Sequence, residues 1–122
     1  MAIVWWYYVN ILISLCNGIL GMFFPAGFLS MWGQNWPITP HVQAMLAWYG
    51  HANLVLAGFQ FFVTIVDAKS QAKAAFINVL FAPLTIYTCL VADTRGGLVF
   101  ALADYAILAV LIFSMRSKTA QR

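Results

Sequence analysis

The chain has 122 residues, of which 64% are hydrophobic and 7% charged, with a mean hydropathy of +0.88 and a net charge of +3. Soluble domains carry about a quarter charged residues, so this composition excludes a globule wetted on all sides and makes lipid the medium. The six Lys and Arg sit at segment ends, which reads as membrane-flanking charge and excludes nucleic acid as a partner.

The first predicted span covers residues 3–24. Trp5, Trp6, Tyr7 and Tyr8 crowd its start, as an interfacial aromatic belt does. No Lys or Arg precedes its apolar run, so it reads as a retained span and not a signal peptide. Asn10, Ser14, Asn17 and Gly21 recur at spacings of four, three and four, which puts them on one side of a helix. Pro25 ends the span.

A connector over residues 25–41 follows, with three prolines, two glycines and no formal charge. Its Trp32 and Trp36 are expected along the headgroup region, with Gln34 and Asn35 outward. Thr39-Pro40 reads as the cap and first turn of the next helix. The second span, residues 44–66, carries Gly50, Asn53, Ala57, Gln60 and Thr64 on one side. His51 sits about 130° away from the centre of that stripe. Residues 67–73 read as a short polar turn.

The third span, residues 74–92, has the stripe Asn78, Ala82, Thr85, Cys89 and Ala92, and Pro83 is expected to kink it. Asp93 to Gly97 reads as a tight turn. The fourth span, residues 98–115, contains Asp104, and Arg116, Lys118 and Arg122 form a basic tail. Cys16 and Cys89 lie in different apolar segments without metal or redox spacing and are expected to be buried structural thiols.

The whole chain, residues 1–122, is thus predicted to be one all-α membrane domain, an antiparallel four-helix bundle. Its small-polar stripes face inward. With four spans, Lys69, Lys73, Arg116, Lys118 and Arg122 share one side with both termini, against Arg95 on the other. The positive-inside bias puts both termini on the cytoplasmic-equivalent side.

Candidate chemistry is confined to a few residues. A carboxylate inside hydrocarbon costs at least about 2.5–3.5 kcal/mol, so Asp104 is expected to face the interior with a partner. It lies about 9 Å into its span, and His51 and Asn17 lie at similar depth. Asn17, Asn53, Thr85 and Asp104 therefore form an expected polar layer. The layer either fixes helix register, with Asp104 pairing with His51 or accepting from Asn17 and Asn53, or holds protons, an ion or a quinone. His51 on its different side is a candidate axial ligand for a tetrapyrrole, haem or chlorophyll, with Gly50 leaving room for the macrocycle. The chain has no Glu, no Walker loop, no GxSxG and no HExxH. No catalytic residue and no protein metal site is expected.

Gly21 to Phe24, Pro25-Ala26-Gly27-Phe28-Leu29, Trp32-Gly33, Pro40 and Trp48-Tyr49-Gly50 resemble the DoxX-like group of small four-helix membrane proteins. The resemblance covers residues 18–115 in segment order and spacing. It implies a four-span fold, and for some members quinone-dependent sulfur redox chemistry. No catalytic residue carries over, and the chain lacks paired thiols. The expected function is a small, non-catalytic accessory or assembly subunit of a larger respiratory or photosynthetic membrane complex, with lipids and other subunits as partners. The alternatives are a DoxX-like redox or quinone-interacting protein, and a pigment-, haem- or lipid-binding protein.

Overall fold

The structure is a computed structural model that describes residues 2–91 and 95–120. Among the described residues there are six helices and no strand: α1 (Ala2–Phe23), α2 (Pro25–Met31), α3 (Pro40–Thr64), α4 (Ala68–Leu80), α5 (Ala82–Val91) and α6 (Arg95–Ala120). Of the expected turn, Asp93 and Thr94 lie outside the described residues, as does Arg122 of the expected tail. Arg95 to Gly97 open α6 instead of turning, and residues 116–120 continue it.

Three segments are long and apolar enough to cross a membrane: Ile3–Phe23, Ala68–Val91 (α4 with α5) and Gly96–Met115. This marks a membrane protein, with three such segments where four were expected. The segment that falls short is α3. It is 25 residues long, but His51, Asn53 and Gln60 lower its apolar content. Two of these three, Asn53 and Gln60, are buried, so they dilute the composition of α3 more than the surface it presents.

The chain forms two compact units, one of residues 7–64 and one of residues up to Trp6 together with those from Ile65 onward. In the first unit, α1 stops at Phe23 because Pro25 forces the residue before it out of helical geometry. Phe24 has φ −134° and ψ 64°. The connector was expected to lack helix, yet Pro25 opens α2, where its missing N–H costs nothing. Gly33 ends α2 in the left-handed region, φ 71°. There the Gln34 N–H reaches Leu29 O at 2.8 Å and the Gly33 N–H reaches Ser30 O at 3.1 Å. Phe28 and Leu29 of α2 bury against Leu46 of α3, and the Phe28 ring meets Tyr49 edge-on at 5.5 Å. As the sequence predicts, Thr39 caps α3, with its hydroxyl accepting from Val42 N–H at 3.2 Å, and Pro40 is the first helical residue.

Helices α1 and α3 meet through glycine. A Cβ built on Gly50 would lie 2.6 Å from Gly18 O and 2.8 Å from Met22 N. One built on Gly21 would lie 2.9 Å from Leu46 O. Backbone faces backbone here, so no side-chain rotation relieves the contact. Ser14 pairs with Gln60, Gly18 with Leu54 and Gly21 with Leu46. Numbers rise along α1 as they fall along α3, so the two helices are antiparallel. Asn10, Ser14, Asn17 and Gly21 are all buried, as are Gly50, Asn53, Ala57 and Gln60. The two predicted stripes are the packing faces.

In the second unit, α6 packs against α4 and α5. The predicted turn at 67–73 is mostly helix. Asp67 is the cap of α4, accepting from Ser70 N–H at 2.9 Å and from the Ser70 hydroxyl at 2.8 Å. These two bonds hold its carboxyl below the usual aspartate range. The cap moves the helix start forward to Ala68 and extends the packed stripe to Gln71 and Ala75, both buried. The break before Pro83 falls at Phe81, whose N–H turns back to Asn78 O at 3.1 Å. Pro83 then sits in the first turn of α5.

Gly50→Ala should destabilise the α1–α3 pair by about 1–3 kcal/mol, because the backbones must move apart. Gly58, also on α3, has no atom within 4 Å of a built Cβ, so Gly58→Ala should be neutral or stabilising. Denaturant unfolding of the two variants in micelles checks the contrast.

Candidate functional site

Polar side chains inside the helices have two destinations. In the first unit, Ser14 Oγ donates to Gln60 Oε1 at 3.3 Å, in a buried bond between α1 and α3. Trp32 Nε1–H donates to Asn17 Oδ1 at 3.1 Å. Asn53 Nδ2 donates to Tyr49 O one turn earlier at 2.9 Å. The first two, between neutral groups, are the chemistry of interhelical adhesion, and the third satisfies Asn53 within its own helix. Sequence reasoning expected Trp32 along the headgroup region and named no partner for it; the structure gives its indole N–H to Asn17. The available signal was that indole has a donor and no acceptor, and that Asn17 sits close to the end of α1.

In the second unit, Thr85 Oγ1 and the Tyr105 hydroxyl lie 3.1 Å apart and tie α5 to α6. Thr85 also donates to Phe81 O at 3.3 Å, and Thr88 to Leu84 O at 2.9 Å. Asn78 Nδ2 donates to Ala74 O at 3.1 Å. Asp104 is half-buried, and its backbone carbonyl accepts from Trp6 Nε1–H at 3.3 Å. Tyr105 is the residue that sequence reasoning missed. It follows Asp104 directly and reaches a hydroxyl on the facing helix.

The four residues of the expected layer thus fall in two units, Asn17 and Asn53 in one, Thr85 and Asp104 in the other. Asn17 takes its hydrogen bond from Trp32, and Asn53 gives one to its own helix.

His51 lies elsewhere. It is about 180° around α3 from Gln60 and is exposed. With Ala47 and Trp48 it lines a shallow hollow, and the Trp48 ring stands edge-on to it at 6.4 Å. The imidazole is open to a ligand from outside the helix. Gly50, expected to make room for a macrocycle there, instead packs against Gly18 and Met22 of α1. Its missing side chain accommodates a helix and not a ring. Cys16, expected to be buried, is exposed on α1, and Cys89 is half-buried; neither forms a disulfide among the described residues. Among the described residues no three His, Cys, Asp or Glu gather as a metal site.

Comparison of the chain with protein-family models, with curated proteins and with solved structures finds no match.

Asn17→Leu should remove the Trp32 anchor and cost about 1 kcal/mol, the scale of an interhelical hydrogen bond in lipid. The check is denaturant unfolding together with the accessibility of tryptophan emission to an aqueous quencher, which should rise as the Trp32 indole is released.

Proposed function

We propose that the chain is a small, non-catalytic accessory or assembly subunit of a larger membrane complex, built as an antiparallel four-span bundle with both termini on the positive side. The observation that carries this reading is where the intramembrane polar groups go. Ser14, Asn17 and Thr85 bond across helices or to the connector, while Asn53, Asn78 and Thr88 bond within their own helices. The interhelical bonds hold a scaffold together, and the intrahelical ones keep polar groups off an apolar outer surface. Trp48, Phe59, Phe61, Phe62 and Ile65 are all more than half exposed along α3 and its end. A fourth span at α3 is supported by its 25-residue length and by this outward apolar surface. The shared side of the termini is supported by Lys69 and Lys73, exposed at the start of α4.

Extraction in mild detergent followed by native electrophoresis should show the chain comigrating with a large complex. Migration as a small monomer overturns the subunit reading.

Asp104 favours a second reading, a DoxX-like quinone-interacting protein. A half-buried carboxyl in an apolar segment, next in sequence to Tyr105 and its hydroxyl bond to Thr85, supplies donors and acceptors of the kind a quinone carbonyl uses. Asp104→Asn separates the two readings. On the subunit reading the variant still assembles and every measurable turnover of the complex is unchanged. Loss of quinone-coupled turnover in a fully assembled complex would favour the second.

A further inference from the structure

The start of α4 carries a chemistry that the subunit reading does not use. Lys69 and Lys73 are exposed and one turn apart. They open the segment Ala68–Val91, which is long and apolar enough to cross a membrane. The acidic side chains among the described residues are Asp67 and Asp104. Asp67 is the one next to these lysines. Two lysines against this one aspartate leave the start of α4 net positive, and the Asp67 oxygens bond Ser70.

Below the lysines the same strip turns greasy. At about 100° per residue, Lys69, Lys73, Phe76 and Leu80 fall within an arc of about 60°. That arc lies about 130–170° from Gln71 and Ala75, the buried side of α4. Phe76 is 43% exposed and Leu80 62%. From Lys73 to Leu80 is about 10 Å along the helix axis. Two cations above two exposed apolar side chains match the shape of a phospholipid, with its phosphate at the helix start and an acyl chain beneath. Lysine stems lying along apolar surface let both ammonium groups reach headgroup level.

We propose that the Lys69–Lys73–Phe76–Leu80 strip is a binding site for an anionic phospholipid, its phosphate held between the two ammonium groups and one acyl chain lying on Phe76 and Leu80. Charge complementarity selects this occupant. A zwitterionic headgroup carries its own cation, which offsets what the lysines offer. An anionic one presents uncompensated negative charge. Near an anionic surface each lysine contributes about a fivefold gain in binding. The site rests on α4 and α5 crossing the bilayer and not on membership in a complex, so a chain that migrates alone on a native gel leaves it standing.

The test uses the purified full chain in nanodiscs of equal phosphatidylglycerol and phosphatidylcholine, with retained lipid read by native mass spectrometry. The wild-type chain should keep phosphatidylglycerol preferentially. Lys69→Gln should lower that preference about fivefold, and the double Lys69→Gln, Lys73→Gln variant about thirtyfold. The double Arg variant should keep it. Circular dichroism should be unchanged throughout, since both positions are exposed. Equal retention of the two lipids by the wild type overturns the proposal. So does an undiminished preference in the double Gln variant, or displacement of the lipid by millimolar inorganic phosphate.

Discussion

The first unit depends on a single constraint, the approach of two helix backbones at Gly18, Gly21 and Gly50. In lipid there is no hydrophobic drive to press one apolar helix on another, because acyl chains are as apolar as leucine. Contact must come from close fit and from hydrogen bonds. The missing Cβ atoms supply the fit, since any side chain at Gly50 would sit on Gly18 O and Met22 N. Once the backbones are that close, the short hydroxyl of Ser14 can reach Gln60. The glycines thus set the distance at which the polar pair bonds.

The second unit is held differently. Its packed stripe runs from buried Gln71 and Ala75 through half-buried Asn78, Ala82 and Thr85 to Cys89. Its two interhelical hydrogen bonds come from long aromatic side chains, Tyr105 with Thr85 and Trp6 to the Asp104 carbonyl. Two modes of adhesion therefore operate in one short chain. Glycine contact joins α1 to α3 beside the Ser14–Gln60 bond, whereas a hydroxyl bond joins α5 to α6 and an indole bond joins the start of α1 to α6. Both leave outward faces rich in Phe, Leu, Ile and Trp. Such faces are stable only against acyl chains or another protein.

Much of this was legible in the amino-acid sequence, because spacings of three and four survive any tertiary context. The stripes of α1 and α3 are the buried faces from Asn10 to Gly21 and from Gly50 to Gln60, with Thr64 at the end of α3 only half-buried, and the Thr39-Pro40 start of α3 follows from cap chemistry that needs only local sequence. What was hidden depended on geometry at a distance. Gly50 belongs to the stripe and also adjoins His51, and only the position of α1 decides which of them it serves. The α2 helix was obscured by the proline and glycine content of the connector, although those residues punctuate it at Pro25 and Gly33. The polar run Asp67–Lys73 looked like a turn because its charges mask a capped helix start. The candidate site was the least legible part. A lone His51 and a lone Asp104 carry no spacing, and nothing in periodicity tells a structural carboxyl from a working one.

The offset at Phe81 has a consequence for the thickness of the bilayer that can host the chain. As one straight rod, the 24 residues of Ala68–Val91 would measure about 36 Å, against a hydrocarbon slab of about 30 Å. A stiff helix relieves such a mismatch by leaning as a whole or by thickening the surrounding lipid. A rod interrupted ahead of Pro83 has a third route, because each half can tilt by its own amount while α6 backs both.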